Sequence, residues 1–172
     1  PQKDPTTGLP GNIEAADAET FEATLDSQED FDRMITINTK DPVIGNGKGW
    51  IFSPYAGAAA ILNYFDSEDY DEWLITPALQ LEAGKQYTIS FKLPDTDSWF
   101  TASKMEVKAG AEPTREAMTE VVFEPFTFIQ DSEANKQCGY YFVPSRTGTY
   151  HIGFHAMGKS GFQMSNLRIS SP

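Results

Sequence analysis

The segment Gln86-Tyr87-Thr88-Ile89-Ser90-Phe91-Lys92-Leu93 decides the fold class, because apolar and polar side chains alternate along it without interruption. A period of two is typical of a β-strand with one buried and one solvated face. Residues 104–109 repeat the alternation, with Met105, Val107 and Ala109 on the apolar side. These two segments predict antiparallel sheet rather than helix.

Outside these two segments, the chain continues as short β-type runs separated by turn signals. We count roughly ten such runs, at the spacing expected of an all-β sandwich or barrel. The 12 Phe, 7 Tyr and 3 Trp residues favour strands, where aromatic rings pack well. No long segment carries helical periodicity, which argues against a parallel sheet with crossover helices.

The length of 172 residues fits one larger all-β domain. Residues 1–12 are rich in Pro, Thr and Gly and are predicted to be a flexible linker, and residues 13–172 are predicted to form the β-sandwich. The linker has neither the basic nor the apolar region of a signal peptide. We expect the full-length protein to carry a leader and further domains.

The charge balance limits the classes of partner. Twenty-five acidic residues face 13 basic ones, for a formal net charge of −12. Such a surface repels phosphate backbones, so we expect no nucleic-acid partner.

No apolar run approaches the roughly 20 residues that span a bilayer, so we expect no membrane insertion. The single cysteine, Cys138, excludes an intrachain disulfide and is interpreted as a buried small hydrophobe.

No catalytic motif stands out. The chain lacks a phosphate-binding loop, a nucleophile elbow and a His-Glu-x-x-His segment. His151 and His155 lie in a predicted strand, which separates them by roughly 13 Å, too far for one metal ion. We interpret both as ordinary sheet residues. Paired carboxylates for glycoside hydrolysis stay open, because among 25 acids some pair always lies at a workable distance.

The densest charge cluster is residues 66–72, with five acids in seven positions. A solvated acidic loop is one interpretation. The other is that a carboxylate of this stretch, above all Asp71, joins a calcium site completed elsewhere in the chain, since calcium selects hard carboxylate oxygens.

Four aromatic residues are candidates for ligand binding. Trp99 and Phe100 follow a polar loop and are predicted either to form a stacking platform for sugars or to cover one end of the sandwich. Trp50 and Tyr55 flank a glycine-rich loop and are open to the same two interpretations, ligand contact or core packing. Trp73, in a dense apolar run, is predicted to be buried.

The segment Asp71-Glu72-Trp73-Leu74-Ile75-Thr76-Pro77 resembles a motif of the cleaved adhesin and choice-of-anchor J domains. Weaker matches follow in the same order, among them residues 20–22, 47–50, 81–91 and 148–155. The resemblance spans roughly residues 19–170. It implies a jelly-roll β-sandwich of two antiparallel sheets, similar to galactose-binding and carbohydrate-binding modules, in a secreted or surface protein of gram-negative bacteria.

The resemblance also implies a structural calcium near the first and last strands, with Glu22, Asp71 and Asn166 as its ligands. The sequence departs from the family at Ser165-Asn166 and before Trp50, where carboxylates are fewer than usual.

We therefore predict a non-catalytic extracellular module for adhesion or carbohydrate binding, whose partner is a glycan or a surface protein. A structural spacer without a ligand is the first alternative, and a glycan-degrading enzyme on the same fold is the second.

Overall fold

A computed structural model describes residues 18–37, 49–61, 70–92, 103–128, 137–158 and 162–171. The predicted linker over residues 1–12 lies outside these ranges. The described elements are, in chain order, β1 (Ala18–Ala23), α1 (Gln28–Phe31), β2 (Ile35–Ile37), β3 (Trp50–Ser53), β4 (Ala58–Ile61), β5 (Tyr70–Ile75), β6 (Leu79–Leu81), β7 (Tyr87–Lys92), β8 (Ser103–Gly110), β9 (Glu120–Phe128), β10 (Gln137–Phe142), β11 (Gly148–Gly158) and β12 (Phe162–Ser171).

The strands form two six-stranded sheets, and every pairing is antiparallel. In the first sheet the order is β10-β7-β12-β4-β3, and β1 also pairs with β12. In the second sheet the order is β2-β5-β11-β8-β9, and β6 also pairs with β11. The predicted all-β sandwich of two antiparallel sheets is confirmed. No helix in the described ranges has the length and apolarity needed to cross a membrane.

The core lies between the sheets, where alternate residues of each strand meet. The strand predicted from its alternation is β7, and its apolar side chains are buried in this core. The largest fully buried side chains of this core come from both sheets and from the segment that follows β1: Trp50, Tyr150, Phe91, Phe123, Phe154, Leu25, Ile61 and Leu74. Phe91 of the first sheet meets Phe154 of the second edge to face, with ring centroids 5.7 Å apart. Such contacts hold the layers together without a disulfide.

The β8–β9 connection, residues 111–119, folds back over the outer face of the second sheet. We call this segment the strap. A Cβ added to Gly110 would lie 2.0 Å from the carbonyl oxygen of Ala117, so glycine is required for the close approach. Met118 joins Trp73 and Ile75 in a second apolar cluster on the outer face of this sheet. The predicted burial of Trp73 is confirmed, at 5% exposure, but its ring lies beneath the strap and not between the sheets.

Glu120, the first residue of β9, links this strand to β11 and to the segment between β10 and β11. The Tyr150 hydroxyl donates to its Oε2 atom, and the Ser145 backbone N–H donates to its Oε1 atom over 3.0 Å. Burial by itself would raise the pKa of Glu120, but these hydrogen bonds and the charge of Arg146 outweigh it and hold the pKa below the ordinary value of 4.5. The ionised carboxylate therefore stabilises this corner.

We expect Glu120→Gln to lower the free energy of unfolding by about 1–2 kcal/mol at pH 7, because hydrogen bonds to a charged acceptor are lost. The folded-state pKa is depressed, so the contribution is present above pH 4.5 and is lost as the pH falls through the folded value. Urea unfolding of both proteins at pH 7 and pH 3 measures this. Glu124→Gln, at an exposed position of the same strand, is the control. If the native protein and Glu120→Gln differed by the same free energy of unfolding at both pH values, the role of the ionised Glu120 would be contradicted.

Candidate ligand-binding surfaces

Trp50 begins β3 and points into the core. Its side chain is 1% exposed, and its Nε1 atom donates to the backbone oxygen of Glu72 over 3.4 Å. This hydrogen bond joins the first sheet to the second, because Glu72 lies in β5. A ring that is covered on all sides presents no face to a sugar. Burial therefore removes Trp50 from the predicted ligand site and confirms its core alternative.

Tyr55 is the opposite case. It lies in the tight turn between β3 and β4 and is 98% exposed, the largest exposure among the described large apolar residues. Two hydrogen bonds to Ser53 fix the turn: the Gly57 N–H donates to the backbone oxygen over 2.9 Å, and the Ala56 N–H donates to Oγ over 3.3 Å. Gly57 has a φ of 62°, which glycine adopts without strain. The core alternative for Tyr55 is wrong, and its ligand-contact role stays a prediction.

The turn of Tyr55 lies next to the corner that follows β1. Strand β12 pairs with β4 through residues 162–164 and with β1 through residues 167–171, and β7 occupies its other side. The start of β4 and the end of β1 therefore meet along one side of β12. The backbone N–H of Asn166 donates to the oxygen of Thr24 over 2.9 Å at this meeting point. Helix α1, which follows the corner, packs against β3.

The three predicted calcium ligands do not come together. Phe21 and Ala23 of β1 are in the core, so Glu22 between them points to the outer face of the first sheet, and Asn166 belongs to the same sheet. Asp71 lies on the outer face of the second sheet. Among the described residues, no group of three His, Cys, Asp or Glu side chains is placed to hold a metal ion. The set Glu22, Asp71 and Asn166 does not fit one calcium, and calcium binding stays a prediction without an assigned site.

Asp71 instead belongs to a network across the outer face of the second sheet. One carboxylate oxygen contacts Nε2 of His155, and Arg115 of the strap donates to the other over 3.2 Å and to the backbone oxygen over 2.7 Å. Burial by itself would raise the pKa of Asp71, but the hydrogen bond and charge of His155 and of Arg115 lower it by more. Arg115 and His155 therefore already contact the carboxylate oxygens of Asp71.

His155 is the centre of this network. Its Nδ1 atom lies 2.7 Å from Oε1 of Glu106, and its ring stacks on Trp73 with centroids 4.2 Å apart. Among the described residues its hydrogen-bond partners are carboxylates, with no hydroxyl or thiol in contact. Within the described part of the chain, both ring nitrogens of His155 therefore face carboxylates. His151 is buried, and its Nδ1 atom lies 2.8 Å from the backbone oxygen of Thr76.

Trp99 and Phe100, the other two predicted ligand contacts, lie outside the described residues, as do residues 66–69 of the acidic cluster.

Solved structures identify the architecture. The K3 cleaved adhesin domain of Lys-gingipain from Porphyromonas gingivalis matches with a TM-score of 0.54 and 18% identity, over 81% of this chain and 92% of that chain. The fold is similar to that of this cleaved adhesin domain. The predicted resemblance is thereby confirmed as a structural similarity. No family model and no curated protein matches the sequence.

The cleaved adhesin fold is shared with carbohydrate-binding modules. The second N-terminal cellulose-binding domain of β-1,4-glucanase C from Cellulomonas fimi matches with a TM-score of 0.55 and 16% identity, over 90% of this chain and 94% of that chain. Xylanase 10B of Clostridium thermocellum, solved as CBM22-1 and GH10 modules with xylohexaose, matches with a TM-score of 0.52 and 12% identity, over 90% of this chain and 29% of that chain. Identities this low show the fold alone.

Sequence reasoning missed the network around His155. Strand β11 carries both histidines on the face opposite the core residues Tyr150, Ile152 and Phe154. Glu106 and Asp71, however, are 49 and 84 positions away from His155 in the chain. Only the order β5-β11-β8 brings them beside it. The sequence could show that both histidines lie in one strand, but it could not show which residues contact them.

Proposed function

We propose that the chain is a non-catalytic binding module that works outside the cell and contacts a glycan through the turn of Tyr55. The observation that carries the proposal is an aromatic ring exposed to 98% on a turn that is already ordered. Because hydrogen bonds fix the backbone of the turn before binding, little backbone entropy is lost when a sugar stacks on the ring. Exposed loops on a rigid sandwich are also where binding residues concentrate.

The similar structures support the same class of function. They include an adhesin domain and a cellulose-binding domain, and the xylanase 10B structure of CBM22-1 and GH10 modules was solved with xylohexaose. Trp99 and Phe100 stay predicted as further contacts. An extracellular location agrees with this function, as does attachment to other domains. A spacer without a ligand would need no exposed aromatic ring on a tight turn, which is why we prefer the binding module.

Tyr55→Ala tests the proposal. A glycan array first identifies binders of the native protein, and affinity gel electrophoresis then compares variants. We expect Tyr55→Ala to weaken binding by about 30-fold, the loss of about 2 kcal/mol typical of an anchoring aromatic residue. Tyr55→Phe should retain most of the affinity, because the ring face is kept. Stability should change by less than about 0.5 kcal/mol, since the side chain packs against nothing.

Tyr141→Ala is the matched control, because Tyr141 is also exposed, at 41%, but lies in β10 at the other edge of the first sheet. Its affinity should equal that of the native protein. Equal binding by Tyr55→Ala and the native protein would refute the assigned contact. Silence of the native protein on every glycan would favour the spacer, and turnover of a polysaccharide mixture would favour the enzyme.

A further inference from the structure

We infer that the ligand of the Tyr55 turn is an uncharged glycan and that polyanionic glycans are excluded from it. The inference rests on the proposed function and adds the charge class of the ligand. It comes from what surrounds Tyr55 and not from the ring itself.

The first step is the charge beside the turn. Residues 26–33, which run from the corner after β1 through α1, carry four carboxylates against one guanidinium, a formal charge of −3. The register of β12 and the packing of α1 on β3 place this segment next to the turn of residues 54–57. Asp26, Glu29 and Asp32 are exposed. The field at the turn is therefore negative, and the net charge of −12 adds to it.

The second step is that most of these carboxylates are already engaged. Asp26 accepts from the Thr24 hydroxyl over 2.8 Å, and Asp32 accepts from the Gln28 amide over 2.8 Å. Asp30 accepts from the Leu25 backbone N–H over 2.5 Å and pairs with Arg33 over 2.6 Å. Carboxylates held in this way have fewer free lone pairs with which to bind a cationic sugar. Their main effect on a ligand is repulsion of anions.

Matched pairs of polymers test the charge class. Hydroxyethyl cellulose is compared with carboxymethyl cellulose, and methyl-esterified polygalacturonate with its de-esterified form, together with an uncharged array hit and its carboxymethylated derivative. At about 10 mM salt the Debye length is about 30 Å, and at 1 M it is about 3 Å. We expect the anionic member of a pair to bind at least about tenfold more weakly than the uncharged member at low salt. This difference in affinity, the gap, should narrow at 1 M salt.

A triple variant locates the effect. Asp26→Asn, Glu29→Gln and Asp32→Asn together should narrow the low-salt gap and change the affinity for the uncharged member by less than about twofold. The matched control removes three exposed carboxylates elsewhere, through Glu112→Gln, Glu116→Gln and Glu124→Gln. This control variant should reduce the low-salt difference in affinity between the anionic and the uncharged member much less. The salt series on the native protein gives an independent measurement if the triple variant fails to fold.

The outcomes separate this inference from the proposed function. Equal or tighter binding of the anionic members overturns the inference, and so does tighter binding of a deacetylated chitin polymer than of any uncharged glycan. Equal narrowing by the two triple variants also overturns it. In each of these cases a loss of binding by Tyr55→Ala still upholds the proposed function. If the native protein binds none of the polymers, both the inference and the proposed function are refuted.

Discussion

Trp50→Ala is expected to lower the free energy of unfolding by about 3–5 kcal/mol, the usual range for truncating a buried aromatic side chain. The indole is 1% exposed and lies where β3 faces β5. Alanine would leave a cavity between the two sheets and remove the indole N–H that donates to the backbone oxygen of Glu72. The loss of this buried hydrogen bond adds to the destabilisation.

The measurement is urea unfolding followed by circular dichroism, on Trp50→Ala, Trp50→Phe and Tyr55→Ala. Trp50→Phe should lose about half as much as alanine, because the ring fills part of the cavity. It also gives a usable value if the alanine variant does not fold. Tyr55→Ala should unfold like the native protein.

The same variants separate structural from functional aromatic residues. Folded Trp50→Phe should bind glycan with native affinity, whereas Tyr55→Ala should not. A Trp50 variant that keeps native stability but loses ligand affinity would reverse our assignment of the two residues. This pair matters because both residues flank the same loop in the sequence and were predicted together.

The contrast between Trp50 and Tyr55 shows how far the sequence could lead. Alternation in β7 and β8 is a local property, so period-two patterns identified the strands and the sandwich class. Exposure of a single aromatic residue beside a loop is not local. Trp50 starts a strand that faces β5, and Tyr55 follows it in a turn, and no pattern in the sequence between them distinguishes the two.

Asp71 makes the same point for charged residues. Its place in a recognisable motif led to the prediction of a calcium ligand, whereas the structure places it in a network with Arg115 and His155. Its partners, Arg115 and His155, come from the strap and from β11, so the choice between a metal and an ion pair depends on topology. Glu22 and Asp71 belong to opposite outer faces, a relation that residue spacing along one chain does not encode.

The strap provides the second large effect. We expect Gly110→Ala to lower the free energy of unfolding by about 3 kcal/mol, at the upper end for overpacking. The new Cβ would lie 2.0 Å from the oxygen and 2.5 Å from the carbonyl carbon of Ala117. Both are backbone atoms, so no rotamer change relieves the overlap. Either the end of β8 or the strap must move.

Movement of the strap would have a spectroscopic consequence, because Met118 covers Trp73 and Arg115 holds Asp71. Gly110→Ala should therefore shift the tryptophan emission to longer wavelength in the folded protein, as water reaches the Trp73 ring. Gly84→Ala is the control: its Cβ would meet nothing within 4 Å, and only its φ of 81° disfavours alanine, which is worth about 1 kcal/mol. A Gly110→Ala protein that is as stable as Gly84→Ala, with unchanged emission, would show that the strap does not rest on the sheet as closely as described. The requirement for glycine here comes from contact between β8 and the segment that follows it, and the same segment carries Met118 onto the Trp73 ring.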